Sequence, residues 1–278
     1  MRVYLSVDME GIGGVSHMKP TNREDSGYAD AVELMEGETN AAIEGAFDGG
    51  AKQVVVNDSH GSMFNLRPTH VDRRARLVQG RKPFSMVEAA MDGQYDVALF
   101  VGYHARAGHP RGTIAHTYSG APTLTSLNGR PVGEYGINGL YLGALGVPVG
   151  MVSGDDALAE EVAEWMPWAE RVVVKRAVSR QAADSLHPAE ACALVKAGAK
   201  LAVERTRADD RDGIRTLELR PPIGVHVEFE HAGHADFVAV VPGFTRVGDR
   251  GVRYEAADAI EAYRAFVTAV RMAPSADG

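Results

Sequence analysis

The sequence contains a single cysteine, Cys192, among 278 residues. That excludes an intrachain disulfide and fits a reducing compartment. Long apolar runs are also missing. The N-terminal run at 3–7 is far shorter than a signal-peptide core, and the Gly-interrupted stretch at 140–152 is too short to span a bilayer. A cytoplasmic protein with no membrane partner is expected. Positive charge is in the minority: 29 Lys and Arg stand against 37 Asp and Glu, for a net charge of −8, with no lysine-rich run. Phosphate backbones need concentrated positive charge, so nucleic acid is not expected as a partner. The G-x-S-x-G, H-E-x-x-H and Walker A strings are absent, and "GIGG" at 11–14 lacks both the third glycine and the helix of a nucleotide loop. No internal repeat or low-complexity tract occurs.

What is present is an ordinary globular composition, 45% hydrophobic and 24% charged, in a chain long enough for one large core or two modest ones. Val3, Leu5 and Val7 alternate with Tyr4 and Ser6 as a strand does. The stretch 28–50 carries Val32, Met35, Ala42, Ile43 and Phe47 at helical spacing and stops at Gly49-Gly50. Apolar strands at 52–60, 95–104, 147–156 and 171–178 then alternate with helical patterns near 85–91, from about 133, at 157–166 and at 188–207. This predicts an α/β fold with a mainly parallel sheet flanked by helices. The charged segment 207–215 reads as an exposed linker, the strands and helix beyond it as a smaller C-terminal α/β unit, and "APSADG" as a loose tail. The domains are placed at 1–185 and 186–278.

The informative pattern is what ends each strand. The first ends in Asp8 and Glu10, the second in Asp58 and His60, the third in His104, and "VGMVSG" in Asp155 and Asp156. Carboxyl ends of parallel strands lie along one edge, where such sheets place ligands. Imidazoles and carboxylates converging there without cysteine form the donor set of hydrolytic zinc or manganese sites, and a D-x-E pair offers a bridging and a terminal ligand within three residues. Each element also has a plainer reading. Asp8 alone serves as a turn cap, Asp58-Ser59-His60-Gly61 as a capped loop, and His104 as a structural histidine. Asp155 and Asp156 fit a helix start, with acid at the positive end of the dipole. Cys192 reads as a small core residue within a helix. "HAGH" at 231–234 has metal-binding spacing but is expected to be a loop or helix start near the surface. His17, His70, His109 and His187 show no pattern.

The ordered strings "SVDMEG", "VVNDSHG", "KPFSMVE", "LFVGYHARAG", "AHTYS", "NGRPVGEYGIN" and "VSGDD" span essentially the whole chain. Together they closely resemble the D-aminopeptidase family of binuclear zinc peptidases. The resemblance implies a domain at 1–185 holding two zinc ions per subunit through Asp8, Glu10, His60, His104 and Glu134, and a catalytic His116. Spacing alone reaches the first four but not Glu134, which is indistinguishable from a helix-start acid. It further implies Asp8 as the bridge, Glu10 with His104 at one ion, and His60 with Glu134 at the other. A metal-activated water would attack the peptide bond, with His116 acting as nucleophile or as acid/base. The implied assembly is a ring-shaped homodecamer enclosing its active sites, and the implied substrates are short peptides such as D-Ala-D-Ala. Two other functions fit parts of the pattern. A strand ending in D-x-[DE] also begins magnesium-dependent phosphohydrolase sites, which the two histidines suit badly. A non-catalytic, metal-stabilised peptide-binding protein would keep the ligands without turnover.

Overall fold

The computed structural model describes residues 1–91, 93–208 and 213–276. Part of the expected linker, 209–212, and the last two residues of the expected tail lie outside the described residues.

The chain opens with β1 (Arg2–Val7) and α1 (Tyr28–Asp48), followed by β2 (Gln53–Asp58), the short β3 (Arg76–Val78) and β4 (Val97–Val101). Next come β5 (Pro122–Leu127) and β6 (Arg130–Pro131), turning at Asn128-Gly129, and then α2 (Glu134–Ala144). After these follow β7 (Val149–Asp155), α3 (Asp156–Trp165), β8 (Glu170–Ser179), β9 (Ala182–Ser185) and α4 (Pro188–Arg207). The chain closes with β10 (Ile223–Phe229), α5 (Ala232–Ala239), β11 (Thr245–Val247), β12 (Gly251–Ala256) and α6 (Ala259–Met272).

Two sheets result. The first has the order β3-β2-β1-β4-β7-β8-β9 and is parallel except for β9, so the expected α/β architecture with a mostly parallel, helix-flanked sheet is what forms. The second has the order β11-β12-β10-β5-β6 and is antiparallel throughout. Its β5–β6 hairpin, which the sequence shows only as an Asn-Gly turn, pairs with β10 from far along the chain. Helix α4 packs on α1 and on β8.

The alternation in β1 marks two different cores rather than a core and a solvent face. Val3, Leu5 and Val7 pack with Met35 and Ile43 of α1 and Val195 of α4. Tyr4 turns the other way, into a core it shares with Leu140 of α2, Phe266 of α6 and Val227 of the second sheet. Tyr4 and Ser6 are accordingly fully buried.

Strand β1 lies between β2 and β4: the chain runs outward through β2 and β3 and returns to the other side of β1. The crossovers diverge there, leaving a crevice at the carboxyl ends of the strands. The register sets Val7 level with both Asp58 and Val101, and the next residue is Asp8. Among the described residues no helix is long and apolar enough to cross a membrane.

Candidate metal centre

Asp8 and Glu10 sit on a tight turn leaving β1. The Asp8 N–H donates to the Val101 carbonyl (2.8 Å) and the Gly11 N–H to the Gly102 carbonyl (2.7 Å). A Cβ on Gly11 would lie 1.8 Å from the Tyr103 carbonyl oxygen, and one on Gly102, at φ +70°, 2.2 Å from that of Asp8. Only glycine lets the two backbones press together, which brings the Asp8–Glu10 turn against the segment carrying His104. Beneath the turn, buried Lys175 of β8 reaches the carbonyls of Glu10, Ile12 and Val15 with its ammonium. Burial lowers that ammonium to about 8, and the three acceptors meet its three donors.

His60 follows β2 on a loop closed by Asp58. The Asp58 carboxylate accepts the backbone N–H groups of Asn65 (2.5 Å) and Leu66 (2.8 Å) and the Asn65 side-chain amide (2.7 Å), so it shapes the loop rather than joining the cluster. His104 follows β4, and Glu134 is the first residue of α2. His116 lies between β4 and β5, flanked by Ile114 and Tyr118 at φ +53° and +62°. A left-handed β-branched residue is costly, and the loop is held against that cost. The Ile114 N–H donates to the Arg180 carbonyl (2.8 Å) and the Tyr118 N–H to Glu134 Oε1 (2.6 Å).

The structure brings all six predicted residues together. Asp8, Glu10, His60, His116 and Glu134 line one cavity of about 600 Å³, and His104 lies beside them, only 1% exposed. Each imidazole gives one nitrogen to a backbone carbonyl and turns the other towards a carboxylate. His60 Nε2 faces the Thr21 carbonyl (2.9 Å), leaving Nδ1 at 2.9 Å from Glu10 Oε2 and 3.3 Å from Asp8 Oδ1. His104 Nδ1 faces the Ala105 carbonyl (3.0 Å), leaving Nε2 at 3.5 Å from Asp8 Oδ2 and 3.4 Å from Glu134 Oε1, with no hydrogen bond of its own. His116 Nδ1 faces the Ile114 carbonyl (2.8 Å), with Nε2 4.0 Å from Glu134 Oε1. The His104 and His116 rings stack with centroids 4.1 Å apart. Metal-binding histidines are oriented in this way.

The electrostatics describe a site short of positive charge. Burial first, then the neighbouring Glu10, pushes the Asp8 carboxyl up to about 8. Burial also opposes ionisation of Glu10 and Glu134, yet His60 and His104 respectively hold these two below the usual carboxylate range. Against burial, Glu134 and Asp8 lift His104 to about 10, while Glu10 and Asp8 hold His60 well above its ordinary value. His116 moves the other way, lowered by burial and by the adjacent His104. Two overlapping triads, Asp8–Glu10–His104 and His104–His116–Glu134, each place three ligand atoms within 4.8 Å of one another. An all-oxygen-and-nitrogen donor set of this kind, with an unpartnered buried imidazole nitrogen, fits zinc.

Other sequence candidates take structural roles. Asp155 caps α3 by accepting the Leu158 N–H (2.8 Å), and Asp156 pairs with Arg111 (2.5 Å). His231 begins α5, as a helix start should, but His234 is buried against Phe229 instead of lying near the surface. Lys175 stands outside the pattern of strand-end residues, although a lysine inside the apolar run "VVVK" is itself a signal of a buried, committed charge.

A sequence model of the D-aminopeptidase family matches residues 1–268. A D-aminopeptidase of Bacillus subtilis (strain 168) is 37% identical over 277 residues, covering 98% of each chain. Among solved structures, a Zn-dependent D-aminopeptidase from Bacillus subtilis, described as a self-compartmentalizing protease, matches with a TM-score of 0.91 at 36% identity over 98% of each chain.

Proposed function

We propose that this chain, which belongs to the D-aminopeptidase family, is a zinc-dependent aminopeptidase that removes N-terminal D-amino acids from short peptides such as D-Ala-D-Ala. The observation that carries the reading is His104 Nε2, buried and without a hydrogen bond between Asp8 Oδ2 (3.5 Å) and Glu134 Oε1 (3.4 Å). A cation satisfies all three groups at once.

The spacing supports two ions bridged by Asp8. Its Oδ1 faces His60 and its Oδ2 faces His104. His60 lies beside Glu10 and His104 beside Glu134, while the Asp8–Glu10–His104 triad fits the Glu10–His104 grouping implied by the resemblance. Zinc bound there would polarise the scissile carbonyl and bring the pKa of a bound water towards neutrality. The chain's own residues supply the rest. The Thr21 and Ala105 carbonyls hold the tautomers of His60 and His104. The Ile114 carbonyl takes the Nδ1–H of His116, so its Nε2 is the basic nitrogen facing the cavity. That nitrogen suits a proton shuttle to the leaving amine. The relative's description as self-compartmentalizing supports a homo-oligomer that encloses its active sites and admits short peptides, for which the family resemblance implies a ring-shaped decamer, and the lone free cysteine supports a cytoplasmic setting.

The test is elemental analysis of protein purified without chelators, beside hydrolysis of D-Ala-D-Ala and of paired D- and L-aminoacyl p-nitroanilides. Two zinc ions per chain and preference for the D series are expected. His116→Ala should lower kcat by about 10²–10⁴-fold with zinc content unchanged. Full activity in that variant removes His116 from the chemistry, and absence of both zinc and hydrolysis removes the whole reading.

A further inference from the structure

The cavity lined by the carboxylates is also lined by Arg81, Lys82 and Arg271. Among the described residues none of these cations forms an ion pair with a carboxylate. The Lys82 ammonium, on a residue 7% exposed, donates to the Asp58 carbonyl (2.7 Å). The Arg271 guanidinium donates to the carbonyls of Pro83 (2.8 Å) and Lys82 (2.9 Å). Among the described residues, no carboxylate lies within ion-pairing distance of any of the three, and Arg81 makes no hydrogen bond through its side chain. Glu88, the acid nearest in sequence, accepts from the Phe84 N–H. Arg271 and Lys82 thus brace the 81–83 segment, while Arg81 is left exposed and uncommitted. One wall of the cavity gathers negative charge and another part of the lining gathers positive charge. A short peptide has the same polarity, with an amine at one end and a carboxylate at the other.

We infer that Arg81, in the field of Lys82 and Arg271, receives the free α-carboxylate of a short peptide whose N-terminal residue lies at the carboxylate–imidazole cluster. The guanidinium fork matches a carboxylate in two parallel hydrogen bonds. The site then selects di- and tripeptides that end in a free carboxylate over amidated or longer chains. A cavity of about 600 Å³ suits ligands of that size. This inference rests on the aminopeptidase reading.

The experiment compares D-Ala-D-Ala with its C-terminal amide on the zinc-loaded full chain. A charge-assisted contact predicts about tenfold or greater preference for the acid in kcat/KM, carried mainly by KM. Arg81→Met should bring the two substrates to near equality by lowering kcat/KM on the acid, and Arg81→Lys should restore part of the difference. Equal use of acid and amide by the unmodified protein, or an unaltered preference in Arg81→Met, overturns the inference. Calorimetric binding of the non-cleavable analogue, with CH2–NH replacing the scissile amide, in acid and amide forms separates the two claims. Discrimination in binding without hydrolysis of either peptide leaves the carboxylate site standing and removes the aminopeptidase. Hydrolysis without discrimination does the reverse.

Discussion

Two groups of histidines lie in this molecule, and only one is built for a cation. His231 and His234 are three residues apart, with ring centroids 5.3 Å from each other. Yet His234 packs edge-on to Phe229, and the one acid of α5, Asp236, pairs with Arg246 (3.1 Å). His60, His104 and His116 come from three separate segments, and each faces a buried carboxylate while a backbone carbonyl holds its other nitrogen. Closeness along the chain gives two rings in contact; convergence at a sheet edge gives rings, acids and tethers together. Histidine spacing is therefore a weaker guide to a metal centre than the presence of acids held out of water beside the rings.

The largest test of that contrast is Asp8→Asn, which keeps the shape but removes the charge between the two imidazoles. Zinc content should fall below two per chain and kcat/KM by about 10³-fold or more, beyond what one lost stabilising donor costs. Elemental analysis and D-Ala-D-Ala turnover measure both, and undiminished zinc would sink the bridging role. Next is Lys175→Met, which frees three buried carbonyls under the Asp8–Glu10 turn. Denaturant unfolding should show a loss of about 1–3 kcal/mol. Zinc titration should show affinity weakened by about 10–100-fold, as for groups that support ligands. A stability loss with unchanged zinc affinity would mean that the turn is set without Lys175.

An effect confined to stability, and visible only as a pH dependence, concerns Glu38, which accepts the Gly13 N–H (2.7 Å) behind the same turn and which burial lifts from 4.5 to about 7. Between those values the folded protein keeps a proton that the unfolded chain has released, so stability declines as pH rises through that window. The decline is on the order of 3 kcal/mol and is complete above about pH 7. Glu38→Gln removes this contribution, and urea unfolding at several pH values gives the difference between the two proteins. A flat difference curve would show that Glu38 ionises normally. The smallest effect belongs to His231→Ala, at an exposed position of the other histidine group. Zinc content and kcat/KM should stay within about twofold, and stability within about 0.5 kcal/mol. A drop in zinc there would erase the contrast.

Legibility in the sequence followed the strands. Asp8, Glu10, His60 and His104 each lie within four residues of the end of a short apolar run, where a polar residue needs an explanation. Glu134 has none of that contrast, because an acid opening a helix is favoured by the dipole whether or not it has another task. His116 lies on a loop with no periodicity, placed by the left-handed backbone at Ile114 and Tyr118, which no residue pattern announces. The order of family strings supplied both residues where spacing could not. The first sheet was readable because its strands alternate with helices at short range. The hairpin of β5 and β6 was not, since its meaning depends on β10, nearly a hundred residues onward. Asp58 shows the opposite failing: it ends a strand beside His60 but spends its oxygens on Asn65 and Leu66.

The central place of β1 has a consequence for how the protein is made. Residues Arg2–Val7 are made well before their partners, which begin only at Gln53 and Val97. Until Gln53–Asp58 and then Val97–Val101 arrive, a buried, largely apolar strand has bare edges, the state in which chains join foreign strands. The last acid of the cluster, Glu134, emerges later still. Metal supplied early meets only the Asp8–Glu10 pair, and a complete binding site exists only after Glu134 has emerged. Holdase capacity during early elongation and zinc supply after it are thus separate requirements for soluble, loaded protein.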